Sequence, residues 1–244
     1  MQGYDPRMAF DDEISRRYDA EDLRGDEGET VAFLAKLAAG GDALEFAVGT
    51  GRIALPLTQA GVRVDGIELS PDMLARLREK PGGDQVKVVE GDMTRASTGS
   101  TYRLVYLVYN TIGNVITQDD QVLCFENAAR HLAEDGVFVL EVRVPVAPSW
   151  PDHRKIEAEK VEVSNVVLDV CRYDPVTQIL DETHVHLGKD GVLFSPVRLR
   201  LAYPPEFDLM ARIAGLRLRE RRGGWNGEPF TAASWRHVSV YERA

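Results

Sequence analysis

The sequence predicts an α/β fold, a mostly parallel sheet with helices on both faces that carries an inserted antiparallel β meander. Between residues 42 and 145 short apolar runs alternate with amphipathic segments, the order that produces parallel strands joined by helices. One of these units, Ala43 to Val48 followed by Gly49-Thr50-Gly51, runs straight into an amphipathic stretch from Arg52 to Ala60. From about 156 to 202 the pattern changes to period two with turn signals between the runs, which marks antiparallel strands.

Taken in order, residues 1–40 hold a polar lead and a helix from Gly28 to Ala39, with Val31, Phe33, Leu34 and Leu37 on its apolar side. Val62 to Glu68 reads as the second strand. Ser70 caps the next helix with Pro71 at its first position, and Pro81-Gly82-Gly83 stops it. Val86 to Glu90 is the third strand and Leu104 to Tyr109 the fourth; a helix from Asp119 to Leu132 and a turn at Asp135-Gly136 lead to the fifth, ending at Glu141. Breakers from Pro145 to Pro151 mark a change of organisation. Three strand patterns follow, 161–173, 177–187 and 192–202, with turn signals at Asp174-Pro175 and Gly188–Gly191. A helix over 205–215 and strands at 217–222 and 236–242 close the chain. The expected divisions are 1–145 for the N-terminal segment and core, 151–203 for the inserted strands, and 204–244 for the elements completing the core sheet.

A glycine turn between strand and helix brings the main chain close to a ligand, with free N–H groups and the positive dipole end facing it. Glu68 ends the second strand, where a carboxylate accepts both hydroxyls of a ribose. The third strand ends in Gly91-Asp92-Met93, where a carboxylate suits an exocyclic adenine amine and Met93 packs on the ring. A nucleoside-bearing cofactor is the expectation. Gly49-Thr50-Gly51-Arg52-Ile53-Ala54 also satisfies the dinucleotide fingerprint, so a nicotinamide or flavin cofactor stays open on the turn alone.

The run Glu45-Phe46-Ala47-Val48-Gly49-Thr50-Gly51, with Glu68 and Gly91-Asp92-Met93, resembles the class I S-adenosylmethionine-dependent methyltransferases over about residues 30–145. The resemblance implies a Rossmann-like seven-stranded, mostly parallel sheet with the meander over the substrate pocket. It implies S-adenosyl-L-methionine as cofactor and S-adenosyl-L-homocysteine as product. Motif I supplies Glu45, Ala47, Gly49, Gly51 and Arg52; the second strand end supplies Glu68 and Leu69. Gly91, Asp92 and Met93 form the adenine motif, the loop after the fourth strand supplies Tyr109, Asn110, Thr111 and Asn114, and Tyr18 folds over the methionine end. Tyr4-Asp5 is a second candidate pair in that segment. Ala47 departs from the family's usual glycine, and its methyl fits if the backbone there keeps a negative φ.

Such a cofactor brings its own electrophile, so the protein mainly positions the reactants and a general base is optional. His237, near Trp225 and Trp235, is the candidate base, with activity falling as pH drops through the imidazole pKa. His184 and His186 share one strand face and are expected at a substrate rim, with no metal because no third ligand stands near. Trp225 and Phe230, on a glycine-rich loop, are further acceptor contacts, or else a plug closing the sheet end. The expected function is methyl transfer to an N, O or C atom of a small molecule. An NAD(P)-dependent oxidoreductase and a non-catalytic cofactor-binding protein are the alternatives.

A net charge of −10 argues against a nucleic-acid partner. No apolar run approaches the length of a membrane span. A polar N-terminus unlike a signal peptide and two cysteines without a disulfide framework fit the cytoplasm. A monomer or homodimer is expected.

Overall fold

The computed structural model describes residues 12–21, 25–189 and 191–244. Two helices, α1 (Asp12–Glu21) and α2 (Glu27–Ala38), precede β1 (Ala43–Phe46), α3 (Ala54–Gln59), β2 (Val64–Glu68), α4 (Pro71–Glu79) and β3 (Lys87–Glu90). There follow β4 (Tyr102–Leu107), α5 (Gln118–His131) and β5 (Leu132–Arg143). Four strands come next, β6 (Arg154–Glu162), β7 (Asn165–Asp174), β8 (Ile179–Gly188) and β9 (Gly191–Arg200); then α6 (Pro204–Ile213), β10 (Leu216–Arg222) and β11 (Arg236–Arg243). Tyr4-Asp5 lies outside the described residues.

The core sheet has seven strands in the order β10-β11-β5-β4-β1-β2-β3, parallel except that β11 runs antiparallel to both neighbours. Strand order reverses between β1 and β4, and in open α/β sheets ligands bind at the carboxyl ends beside that reversal. Alternation along each strand builds one apolar layer per face. Val105 and Leu107 of β4 join Phe125, Phe138, Phe207 and Tyr241 beneath α5 and α6. Leu104 and Tyr106 join Leu34, Leu57, Val139 and Val240 beneath α2 and α3. Ser70 caps α4 by accepting from Met73 N at 3.2 Å, and Thr117 caps α5 by accepting from Asp120 N at 3.1 Å. No described helix is long and apolar enough to cross a membrane.

The insertion is a four-stranded antiparallel sheet in the order β6-β7-β8-β9, where the sequence pattern suggested three strands. The run 161–173 contains a reversal at Val163-Ser164. Neither residue has a positive φ, so the turn carries no glycine or asparagine signal. Arg200, buried at the end of β9, ties this sheet to the core. Its guanidinium donates to Gln121 of α5 at 2.6 Å and pairs with Glu206 of α6. Leu199 of β9 packs on Gly113, where an added Cβ would come within 3.3 Å of it.

Candidate active site

The reversal in strand order sets two turns side by side, 47–51 after β1 and 109–114 after β4. In the first, Gly51 has φ 80° and a Cβ there would lie 2.4 Å from Leu77 Cδ1, so only glycine fits. Ala47 has φ 53° rather than the negative φ expected of it. An L-residue in that region costs about 1–2 kcal/mol. The reversal brings Val48 N to Ile67 O at 3.1 Å and Gly49 N to Glu68 Oε2 at 2.7 Å, which hold the chain there.

Glu68 also accepts from Ser70 N at 2.8 Å through Oε1, so two backbone donors orient it and each oxygen keeps a further lone pair. Burial holds its carboxyl above the usual range, against the pull of those bonds. A cavity of about 190 Å³ lies over it, with Ala47 and Leu69 at its base, Asp92 and Met93 on one wall and Thr111 and Asn114 on the other. Asn114 Oδ1 is buried there with no hydrogen-bond partner among the described residues. The 91–96 loop is fixed by Asn127 of α5, whose amide donates to the carbonyls of Met93 and Ala96 at 2.8 and 2.9 Å.

A smaller cavity of about 30 Å³ shares Ala47 and Thr111 with the first and adds Tyr18, Glu45, Gly49, Arg52 and Tyr109. The Arg52 guanidinium sits 4.2 Å from the Tyr18 ring centre and 4.8 Å from that of Tyr109. Helix α1 is clamped over this turn: Thr50 donates to Asp19 at 2.6 Å, Lys80 pairs with Asp19, and Arg52 donates to the Tyr18 carbonyl at 3.0 Å. Glu45 is buried and accepts from Tyr106 Oη at 2.9 Å. Burial, with Glu68 nearby, pushes its pKa from 4.5 up to about 8.

That shift gives a pH dependence whose sign is determined. The folded pKa lies above the unfolded one, so the folded protein binds the extra proton. Glu45's contribution to stability is complete below about pH 4.5 and is lost as pH rises toward about 8. The melting temperature of Glu45→Gln is expected to fall less than that of the wild type across this window. Parallel profiles would rule out the assignment.

The second turn is strained, with Tyr109 and Asn110 both at φ 62°. Glu141, buried at the end of β5, accepts from Tyr109 N at 2.6 Å. Asn110 Oδ1 accepts from Arg143 N at 3.1 Å, and Tyr109 Oη donates to Glu27 at 2.7 Å. Sequence reading saw Glu141 only as a strand end; its signal was an acid inside an apolar run.

A third cavity, of about 160 Å³, lies between the inner face of the inserted sheet and residues 142–147, and Asn110 stands at its edge. Trp150, Lys155, Asp169 and Glu182 line it. Asp169 is buried, with Lys155 Nζ at 3.6 Å and Cys171 Sγ at 3.0 Å. Ligand atoms of Asp169, Cys171 and Glu182 lie within 4.8 Å of one another. Burial and then Asp169 raise the Glu182 carboxyl above the usual range. None of these residues was singled out from the sequence. The register that sets Cys171 opposite Glu182 is what assembles them.

Other candidates stand elsewhere. His184 and His186 share the Glu182 face of β8 but line none of these cavities; His184 Nδ1 lies 3.0 Å from Glu159. His237 is fully buried, with ring centres of Phe207 at 5.9 Å and Phe230 at 5.8 Å, and Nδ1 at 2.8 Å from Ser239 Oγ. Burial, then Arg221, lowers its pKa to about 3. That corrects the expectation of a base, because an enclosed imidazole cannot reach an acceptor proton. Trp225 is buried against Phe33 in the α2 layer, and Phe230 packs on His237; neither lines any of the three cavities described above. Both were expected as acceptor contacts, and the structure sets them outside these three cavities.

The methyltransferase domain family matches residues 43–136. The CcbJ methyltransferase of Streptomyces caelestis is 36% identical in a solved structure, with TM-score 0.91 over 99% of this chain and 100% of that one. The cypemycin N-terminal methyltransferase of Streptomyces sp. is 28% identical over 207 residues, 82% of each chain. The fold is also that of S-adenosylmethionine-bound CalS10, an amino pentose methyltransferase from Micromonospora echinaspora, with TM-score 0.70, 19% identity and coverage of 100% and 99%. The nicotinamide reading of Gly49–Ala54 falls with these findings, and so does the non-catalytic one. With a motif I turn, a carboxylate ending β2 and this likeness along the whole chain, the protein is an enzyme of the class I S-adenosylmethionine-dependent methyltransferase family.

Proposed function

We propose that the enzyme methylates an amine of a small molecule bound beneath the inserted sheet. The single observation that carries this reading is the 109–114 turn, which contributes to all three cavities and so joins the cofactor cleft to one holding two buried-side carboxylates. The residues fit the cofactor. Glu68 has lone pairs for the ribose hydroxyls, Asn114 Oδ1 lacks a partner among the described residues, and Gly49 has open space where a Cβ would stand. Asp92 and Met93 suit the adenine, and Arg52 offers a positive charge, and Glu45 a buried carboxyl, for the amino-acid end. Bound there, the cofactor supplies an electrophilic sulfonium methyl.

An amine arrives mostly as its ammonium form and attacks only when neutral. Asp169 and Glu182 accept hydrogen bonds from that cation, and Glu182, held above the ordinary carboxylate range by burial and by Asp169, suits a proton acceptor. Asn110 and Trp150 bound the space and exclude water. A relative supports an amine acceptor: the cypemycin enzyme is named an N-terminal methyltransferase.

The test is S-adenosylhomocysteine release from a panel of amines and their hydroxyl isosteres, among them nucleotide-linked amino sugars and short peptides. Turnover restricted to hydroxyl acceptors would refute the reading. With an amine substrate, Asp169→Asn and Glu182→Gln are each expected to raise KM about 10-fold, the scale of one charge-assisted hydrogen bond, with cofactor affinity unchanged. Equal KM values in wild type and variants would remove both residues from the acceptor site.

A further inference from the structure

The acceptor cavity already holds an ammonium of the protein's own. Strand β6 is an outer edge of the inserted sheet, and of its nine residues only Lys155 is not exposed. An edge-strand lysine ordinarily keeps its charge in water and lays only its stem on the protein. Lys155 turns inward instead. The register sets it opposite Cys171, which stands opposite Glu182, so the three share the inner face of the sheet. Its Nζ lies 3.6 Å from Asp169 and 5.5 Å from the centre of the Trp150 ring. It also pairs with Glu157, the residue opposite Asp169 on the same face. Trp150, Lys155 and Asp169 all line the acceptor cavity. A carboxylate beside an indole face is also what the ammonium of a ligand seeks.

We propose that Lys155 holds the place of the acceptor's ammonium, so that the acceptor enters and the product leaves by exchange of one cation for another. The inference rests on the reading that Asp169 and Glu182 receive an amine. Lys155 and a protonated amine carry the same charge and the same N–H donors, so they compete for Asp169. Together in a cavity of about 160 Å³ they repel each other. The arriving ammonium therefore takes Asp169 and the Trp150 face, while Lys155 lets go of Asp169 and keeps Glu157. Glu157 suits that role. Its side chain is 59% exposed against 9% for Asp169, so a flexible stem carries the lysine from a buried partner to a wet one. The bond to Glu157 holds the ammonium above the ordinary lysine range, so Lys155 stays charged throughout. In the empty site the lysine keeps a buried carboxylate from standing without a cation, a costly arrangement. After methyl transfer the product is again an ammonium, and the return of Lys155 to Asp169 displaces it.

The probe is the amine with the lowest KM in the panel above, with its N-methyl product as inhibitor. Lys155→Met keeps a side chain of similar length and removes the charge. Its KM for the amine and the Ki of the product are each expected to fall about 10-fold, the scale of one charge-assisted hydrogen bond. The Kd for S-adenosylmethionine stays that of the wild type, the sign of an intact core. Lys155→Arg, which restores the cation, restores the high KM. Glu157→Gln removes the partner to which Lys155 withdraws, and KM rises. A lysine that only braced the cavity would give the opposite sign in Lys155→Met, a higher KM. A KM in Lys155→Met equal to or above that of the wild type, with Asp169→Asn still raising it, overturns the exchange and leaves the amine reading standing. If Asp169→Asn leaves KM unchanged, the amine reading itself fails and the exchange falls with it. Should Lys155→Met fail to fold, Glu157→Gln decides, and a KM that does not rise in it counts against the proposal.

Discussion

Trp225→Ala is expected to lower stability by about 3–5 kcal/mol, the range for emptying a buried aromatic site, with cofactor affinity preserved. The indole is 5% exposed, and its ring centre lies 5.6 Å from that of Phe33 on α2. It shares the apolar layer of Leu34, Val238 and Val240, so truncation leaves a void under α2 as well as removing transfer energy. The glycine-rich loop around it closes the end of the sheet, and Arg222 lies 5.0 Å from the centre of the Phe33 ring. Were Trp225 instead an acceptor contact on a lid, turnover would be damaged more than stability. Denaturant unfolding beside a cofactor titration separates the two. A variant of wild-type stability that had lost turnover would restore the lid.

The second large effect is on the cofactor. Glu68→Ala is expected to cost about 2–3 kcal/mol of S-adenosylmethionine affinity, the scale of bonds to a charged acceptor, or roughly 30- to 150-fold in Kd. The carboxylate is positioned by Gly49 N and Ser70 N before any ligand arrives, so no ordering remains to be done on binding. Removing it also leaves those two N–H groups without acceptors and loosens the 47–51 turn, so melting temperature falls too. Asp92→Ala is expected to do less, because Asp92 is half-exposed and its ties are to Thr94 N at 2.8 Å and Arg95 at 3.8 Å. Calorimetric titration with S-adenosylmethionine and S-adenosylhomocysteine reads both variants. An unchanged Kd in Glu68→Ala would end the ribose assignment.

What could be read before folding was whatever a short stretch of chain contains by itself. The parallel core was legible because each strand, its turn and its helix are contiguous, and Ser70-Pro71 or Gly49-Thr50-Gly51 announces its own local geometry. The cofactor cleft was legible for the same reason: Glu45, Gly51, Glu68 and Asp92 all stand at the carboxyl ends of strands whose order the pattern implies.

The acceptor side was not legible, because no local pattern contains it. Asp169 and Glu182 become neighbours only through the β7–β8 register, and they face the cavity only because Arg200 ties that sheet down on α5 and α6. Glu141 meets Tyr109 N across 32 residues of chain. His237 looked available in the sequence and is sealed in the structure, since α6 and the 223–235 loop close over it. The sequence by itself determined the family, the parallel core and the cofactor turn, because these depend on contiguous residues. The tertiary structure alone decided Ala47's left-handed backbone, the fourth inserted strand and the choice between lid and core for Trp225. Those depend on which distant surfaces meet, and burial energy is settled only where they do.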